Sequence, residues 1–341
     1  MNICIGQIID KKDCCGCSAC KGICPVKCIT MTADKEGFLY PHIDYKSCKN
    51  CGLCKKVCSV INKGNYNSPN ELNKAFIVQN RNKKELYQST SGGFFTVLAK
   101  YVIKHNGVVF GAAYNEQFVI QHTYVEDNEL LEIFRNSKYA QSNINSCYFL
   151  CKEFLEKGRM VMFSGTPCQI AGLKMFLGKK YSNLLKIDFI CRGVISPLLF
   201  KNYIGWMGKI EDVKNIRFRD KHYGYLCSCM SFYYKNNKVL SGDNKADSIL
   251  RLFFKDLCSR PSCYNCVFRS FERQSDFTAF DCWHASLLSK KFDNSGATAV
   301  IVRSNTAAGI MSDILEEEMI SEETDIGKLL RLDGMLMTEG G

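Results

Sequence analysis

The sequence predicts an α/β protein in two parts, a small cysteine-rich α+β domain followed by a larger α/β region. Three observations predict it. Eleven of the 21 cysteines lie in the first 58 residues. Within that stretch one cysteine spacing occurs twice. Beyond a polar segment at 62–73, short apolar runs of strand type alternate with stretches whose apolar residues recur every three or four positions, the pattern of a layered α/β architecture.

The elements follow in order. Residues 29–31 and 38–40 read as short strands around a turn at Gly37. Asn62 to Asn73 holds Gly64, Ser68 and Pro69 among polar residues and reads as a linker. Domains are therefore expected at 1–62 and, after a linker at 63–73, in an α/β region whose two parts cover 74–158 and 159–341. In that region 75–78 reads as a strand. Phe94, Val97, Leu98, Tyr101 and Val102 share one helix face, with Gly107 as the stop. Strands are predicted at 108–114, 160–164 and 184–191. Helices are predicted at 147–157 and across Ile170, Leu173, Phe176 and Leu177. Strands at 216–218, 230–234 and 299–302, a helix at 246–257 and an acidic helix from Thr306 complete the reading. The polar tail after Glu316 is expected to be loosely held.

Composition narrows the function classes. The 341 residues amount to about two domains. Apolar residues at 46% and charged residues at 23% are those of a folded globular chain. No run approaches the ~18 continuous apolar residues of a membrane helix, and residues 1–13 lack the segments of a signal peptide. No membrane span and a cytoplasmic location are expected. In that setting so many cysteines point to metal ligands rather than disulfides. The net charge of +11 comes from scattered basic residues without a sustained block, so nucleic acid is not the expected partner. An anionic cofactor or an acidic redox partner suits the balance better.

The cysteine repeat carries the chemistry. Cys14-x2-Cys17-x2-Cys20-x3-Cys24-Pro25 recurs 34 residues later as Cys48-x2-Cys51-x2-Cys54-x3-Cys58. Three closely spaced thiolates wrap three irons of a 4Fe–4S cubane, and the fourth reaches to the other cluster. Cys14, Cys17, Cys20 and Cys58 are thus assigned to one cluster, and Cys48, Cys51, Cys54 and Cys24 to a second. Zinc sites also use Cys-x2-Cys, but zinc has no need of a third cysteine at the same spacing or of the repeated run. Ser59 stands where a second proline would follow the pattern. Cys15 is off the spacing, and Cys4 and Cys28 read as small apolar residues. Two such clusters pass single electrons and imply a separate catalytic centre in the remaining residues.

Two later junctions suit a ligand. Ser89-Thr90-Ser91-Gly92-Gly93 precedes the Phe94 helix, and small residues at a helix start let backbone N–H groups approach a diphosphate. A plain cap and turn has the same look. The strand at 160–164 leads into Gly165-Thr166-Pro167-Cys168-Gln169, where Thr166 suits an N-cap and Pro167 the first helical position. Cys168 then falls in the first turn, where the helix dipole lowers a thiol's pKa, and is a candidate nucleophile or metal ligand. Cys191 ends the next strand. Cys263-Tyr264-Asn265-Cys266 supplies a loop-borne pair that needs two more ligands, from Cys168 and Cys191 or from Cys258 and Cys282.

At these residues the chain resembles the beta-subunit family of coenzyme F-420 hydrogenases and dehydrogenases. The likeness runs through the cysteine repeat, the Ser-Gly-Gly turn, Ser137-Lys138-Tyr139, residues 165–173, Asp188 to Val194, Phe218-Arg219-Asp220-Lys221 and Arg260 to Cys266. It implies a ferredoxin-like domain joined to an FAD-binding catalytic region with a third 4Fe–4S cluster. Carried onto this chain, Cys168, Cys191, Cys263 and Cys266 are the third set of ligands. Ser91, Gly92, Gly93, Lys138 and Tyr139 are flavin contacts, with Gly165 and Thr166 close by. FAD would exchange hydride with a deazaflavin-like or other organic partner. The clusters would relay electrons to an external one-electron carrier or partner redox subunit docked at 1–60.

The chain departs from the family where Phe280 and His284 replace two glycines of the usual Ser-Asp-Ile-Thr-Ile-Gly-Asp-Phe-Trp-Gly stretch, and where Arg192 replaces a histidine. Phe280 is expected to fill space near the pocket, and His284 is a proton donor beside the flavin or a structural residue. The alternative function is a non-catalytic electron-transfer or assembly subunit of a larger redox complex. Members of the family outside methanogens serve in bacterial surface-polysaccharide functions.

Overall fold

The computed structural model describes residues 9–63, 72–334 and 337. Cys4 and most of the predicted 62–73 linker lie outside the described residues. The cysteine-rich part is built from α1 (Ala19–Ile23), the hairpin of β1 (Ile29–Ala33) and β2 (Leu39–Ile43), and α2 (Leu53–Lys56). The larger region follows with β3 (Lys74–Asn80), α3 (Lys83–Gln88), α4 (Phe94–Lys104), β4 (Val108–Tyr114), β5 (Ile120–Val125) and α5 (Cys147–Glu156). Next come β6 (Val161–Ser164), α6 (Pro167–Leu177), β7 (Leu184–Phe189), α7 (Pro197–Met207), β8 (Val213–Asp220), β9 (Cys229–Tyr234) and β10 (Val239–Asp243). The chain continues through α8 (Ser248–Phe254), α9 (Pro261–Tyr264), β11 (Phe277–Asp281), α10 (Ala285–Leu288), β12 (Thr298–Val302), α11 (Asn305–Glu318), β13 (Met319–Thr324) and α12 (Ile326–Asp333).

An eight-stranded sheet in the order β13-β3-β12-β11-β7-β6-β4-β5 is the centre of the molecule. Strands β4, β6, β7 and β11 are parallel neighbours. Strand β3 runs the same way, because two antiparallel steps through β12 restore the direction. A separate three-stranded sheet, β10-β9-β8, packs with α7 and α8.

Side chains alternate across the pleat and sort into layers. Val109, Met162, Val300 and Phe277 face α4 and α11, where Phe94, Leu98, Val102, Ile310 and Ile314 complete the layer. Val108, Phe110, Val161 and Phe163 face α5 and α6 on the other side. Toward the β3 end of that second face, Ile77, Phe280, Ala299 and Ile301 meet Leu329 of α12. The cysteine-rich part docks on the α5–α6 layer, with Ala19 of α1 in its core.

The polar tail is a correction to the sequence reading. Residues 319–324 form β13, which pairs with β3 from Met319↔Asn80 to Thr324↔Ala75. The run Ser321-Glu322-Glu323 is polar because β13 is an edge strand, and charge on an edge blunts pairing with other chains. The predicted helix at 246–257 is shorter, and β5, β10, β11 and α7 have no counterpart in the sequence reading.

Gly92 shows how closely the Ser-Gly-Gly turn is packed. A Cβ there would lie 2.3 Å from the Val78 carbonyl oxygen and 2.5 Å from the Thr298 nitrogen. Both are backbone atoms of the sheet and cannot swing away. Gly92→Ala is therefore expected to cost about 1–3 kcal/mol by overpacking. Gly205→Ala in α7, where a Cβ meets nothing within 4 Å, is expected to gain roughly 0.5–1 kcal/mol from helix propensity. Chemical denaturation of the two variants checks the sign of each.

Candidate functional site

Ligands in α/β sheets gather outside the carboxyl ends of the strands. Here that edge carries the loops after β3, β4, β6, β7 and β11, and most of the residues singled out in the sequence lie on them.

The cysteine-rich part contains two cavities. One of about 350 Å³ is lined by Cys14, Cys17, Cys20 and Cys58, together with Cys15. The other, of about 330 Å³, is lined by Cys24, Cys48, Cys51 and Cys54, together with Cys28. Each cavity thus takes three cysteines from one run and the fourth from the other. Among the described residues no three His, Cys, Asp or Glu side chains converge where one metal ion would sit; the cysteines surround voids instead. Cys20 shows the crowding: burial raises its pKa first, and the nearby Cys17, Cys14 and Cys58 raise it further. Cys28 reads in the sequence as an apolar core residue, and it is buried, but its Sγ lies 3.4 Å from Cys24 Sγ. The turn that follows Cys24, closed by Lys27 N–H to the Cys24 carbonyl at 3.1 Å, brings it there.

The third set meets at the ends of β6 and β7. Thr166 caps α6 in a capping box with Gln169, and Pro167 opens the helix, as the sequence predicts. Cys168 follows in the first turn. Its pKa is held at about 7, first by the neighbouring Cys15 thiol and then by Thr166 and Arg260, against the opposing effect of burial. Burial raises the pKa of Cys191, and the like charges of Cys263, Cys168 and Cys266 add to it. The Cys191 loop is tied to the Cys263 loop by the Ile195↔Ser259 bridge and by Arg260 N–H to the Val194 carbonyl at 3.0 Å. Cys258 and Cys282, the alternative pair, are elsewhere: Cys282 bonds Asp333 at 3.6 Å.

The third set adjoins the first. A Cβ on Gly172 of α6 would lie 3.0 Å from Cys17 Sγ, so a glycine is what lets α6 come this close. Arg260, fully buried, crosses the junction. Its Nε donates to the Cys14 carbonyl at 2.7 Å, one terminal nitrogen to Gln141 Oε1 at 2.7 Å and the other to the Leu39 carbonyl at 3.0 Å. Its guanidinium lies 4.2 Å from the Tyr40 ring centre. Gln141 in turn donates to the Cys15 carbonyl at 3.1 Å. The sequence signal is the Arg-Pro before Cys263, which gives no hint of this span.

The expected flavin segments are drawn together at the same edge. Ser137 N–H donates to Thr90 Oγ1 at 3.0 Å, joining the Ser-Gly-Gly turn to the Lys138 segment. The Gly92 N–H is taken by Thr298 Oγ1 at 2.8 Å, and the Ser91 hydroxyl bonds the same oxygen at 2.8 Å. Lys138 Nζ donates to the carbonyls of Phe134, Arg135 and Asn136, and burial lowers its pKa to about 7. Tyr139 stacks on Phe253, with ring centres 4.5 Å apart. Gly165 lies beside His122, whose pKa burial lowers to about 4 and whose Nδ1 has no hydrogen-bond partner.

Further residues at this edge stand in the sequence only as motif members. Arg219 lies 4.3 Å over the Trp283 ring, which stacks on Tyr225 at 5.0 Å and 14°. The buried Arg219 Nε has no partner. Lys221 Nζ donates to the Leu86 and Ser91 carbonyls at 2.7 and 2.8 Å. Burial raises the pKa of Asp281 although Arg219 and Lys221 oppose it. A buried cation with a spare donor beside two stacked rings has the chemistry that an anionic, aromatic ligand requires.

Two of the three departures lie on or just after β11. Phe280 packs in the layer with Phe292 and Leu329, whereas its neighbour Asp281 faces Arg219 and Lys221. Successive strand residues point to opposite faces, so Phe280 does not fill the space beside Arg219. His284 is partly exposed and binds Asp333 of α12 through Nδ1 at 2.8 Å and through its N–H at 3.2 Å.

Fold and site together define an α/β protein with a ligand-facing sheet edge set against a cysteine-rich unit. Residues 158–326 match the family described as the C terminus of the beta subunit of coenzyme F420 hydrogenase/dehydrogenase. That stretch of the chain belongs to the family. It is similar in structure to a chain of the F420-reducing NiFe hydrogenase complex from Methanosarcina barkeri, with a TM-score of 0.54 and 13% identity over 81% of this chain and 91% of that one. That likeness is one of fold. No curated protein matches the chain by sequence.

Arg260→Ala would take the donor from two buried acceptors, the Cys14 carbonyl and Gln141 Oε1, and from the half-buried Leu39 carbonyl. It is expected to cost about 3 kcal/mol or more, at 1–3 kcal/mol for each orphaned group. Arg260→Lys should recover only part, because an ammonium cannot span the three acceptors as the planar fork does. Thermal or chemical denaturation of both variants measures the difference.

Proposed function

We propose that the chain is an iron–sulfur flavoprotein oxidoreductase subunit that couples an organic hydride partner to one-electron carriers. Cys14, Cys17, Cys20 and Cys58 hold one 4Fe–4S cluster, Cys48, Cys51, Cys54 and Cys24 a second, and Cys168, Cys191, Cys263 and Cys266 a third. The observation that carries the reading is the contact of the third set with the first, at Gly172 and across Arg260. Cavities whose linings each include one of these four-cysteine sets fit the first two clusters.

Arg219 with its free Nε, Lys221, Lys138 and the Trp283–Tyr225 stack fit FAD at the carboxyl edge. Ser91, Gly92 and Gly93 form the turn that closes on it, with Tyr139, Gly165 and Thr166 at its border. When bound, a flavin converts between hydride and single electrons, and the clusters carry those electrons singly. The chain's own contribution is placement. Arg260 and Gln141 lock the Cys14–Gly16 turn against the third set. Thr298 holds the Ser-Gly-Gly turn to the sheet. Buried cations supply fixed positive charge, and the packed layers exclude water.

The F420-reducing activity of the Methanosarcina complex supports a deazaflavin-like hydride partner. At the other end Cys51 is exposed, Lys49 lines the second cavity, and exposed Lys27, Lys46, Lys55 and Lys56 each lie within two residues of a lining cysteine. That surface suits an acidic electron carrier or a partner redox subunit.

The test is anaerobic assay of iron, acid-labile sulfide and flavin in the purified chain. About twelve irons and one FAD per chain are expected. Cys168→Ser should remove about four irons and leave about eight. A chain with eight irons and no flavin would overturn the third cluster and the hydride reaction together.

A further inference from the structure

Cys15 lies outside the repeat spacing, yet it occupies the junction of two ligand sets. The turn that carries it is fixed on both sides, by Arg260 to the Cys14 carbonyl at 2.7 Å and by Gln141 to the Cys15 carbonyl at 3.1 Å. The space around Gly16 is filled by the same two side chains, with Gln141 Nε2 2.7 Å and Arg260 2.9 Å from a Cβ placed there. The turn therefore has one position available. In it Cys15 lines the first cavity with Cys17, and Cys168 is its neighbour from the third set. One cysteine thus sits between a member of the first set and a member of the third.

We propose that Cys15 is a positioning residue for electron transfer between the third and first clusters, its S–H donating to a ligand sulfur at their junction. The proposal rests on the reading that both sets hold clusters. A hydrogen bond to a ligand sulfur withdraws negative charge and favours the reduced, more negative cluster, so it raises the reduction potential. The transfer itself moves one electron: one cluster is oxidised by one electron, the other is reduced by one, and Cys15 keeps its proton. Cys17 and Cys168 remain ligands throughout.

The experiment uses the full chain with its clusters, as wild type, Cys15→Ala and Cys15→Ser. Iron is assayed in each, and potentials are titrated by electron paramagnetic resonance. All three proteins should carry about twelve irons. In Cys15→Ala the reduction equilibrium of one junction cluster should shift about tenfold toward the oxidised form, equivalent to 59 mV for a one-electron couple. Cys15→Ser keeps a donor and should restore most of that shift. Full iron with unchanged potentials in Cys15→Ala overturns the proposal. Loss of four irons in Cys15→Ala also overturns it, because Cys15 would then be a ligand. Eight irons in the wild type would instead strike the underlying third-cluster reading.

Discussion

The contact on which the arrangement depends is a buried guanidinium. Arg260 starts the loop that carries Cys263 and Cys266, and it ends among the backbone carbonyls of the cysteine-rich part. A buried arginine without acceptors costs several kcal/mol. Arg260 avoids that cost by using carbonyl and amide oxygens and by lying against Tyr40 and Phe38. The same bonds fix the distance between two groups of cysteines that are about 250 residues apart in the chain. A flexible tether would hold the two parts in one molecule without fixing that distance, on which electron transfer between the proposed clusters would depend.

The second constraint is the sheet. Five strands run in one direction, so five loops leave from one edge, and each brings a different element to it. The loop after β3 brings the Ser-Gly-Gly turn, those after β6 and β7 bring Cys168 and Cys191, and that after β11 brings Trp283. Strand β12 runs oppositely, so its first residue, Thr298, also lies at this edge and binds Ser91 and Gly92. The Gly92 N–H, which in the sequence looks available for a phosphate, is thus engaged in holding the turn in place. Local sequence favours a glycine for either purpose, and only the partner strand distinguishes them.

What is legible in the sequence is local. Metal ligation imposes short cysteine spacings, and the two runs are readable because their members are three and four residues apart. The start of α6 is readable because a capping box spans four residues. Strand β13 is not, since its order comes from pairing with β3 some 240 residues earlier, and its composition is that of an edge. Cys28 looks like a small core residue because nothing in its neighbours shows the turn that returns it to Cys24. Cys15 looks incidental for a similar reason: its neighbours in space are Gln141, Cys168 and Arg260. The arginine and tryptophan at the sheet edge are visible only as motif letters, because an orphaned Nε is a property of packing.

The electrostatics connect these levels. Arg260 and Lys138 are held by carbonyl and amide oxygens, and among the described residues no carboxylate bonds either of them. Arg219 has Asp281 at 3.9 Å, beyond hydrogen-bond distance, and keeps a free donor. Buried positive charge of this kind is stable when an anion completes it. On the proposed reading, each cluster with its four thiolates carries about −2, and a flavin diphosphate adds more negative charge nearby. The excess of +11 is then largely offset by these groups. Groups that bind the folded chain and not the unfolded one stabilise it by mass action, and thiolate ligands make that stabilisation part of folding itself. On that reading clusters and flavin would act as structural counter-ions as well as redox centres, received by cations that carbonyl and amide oxygens already hold in place.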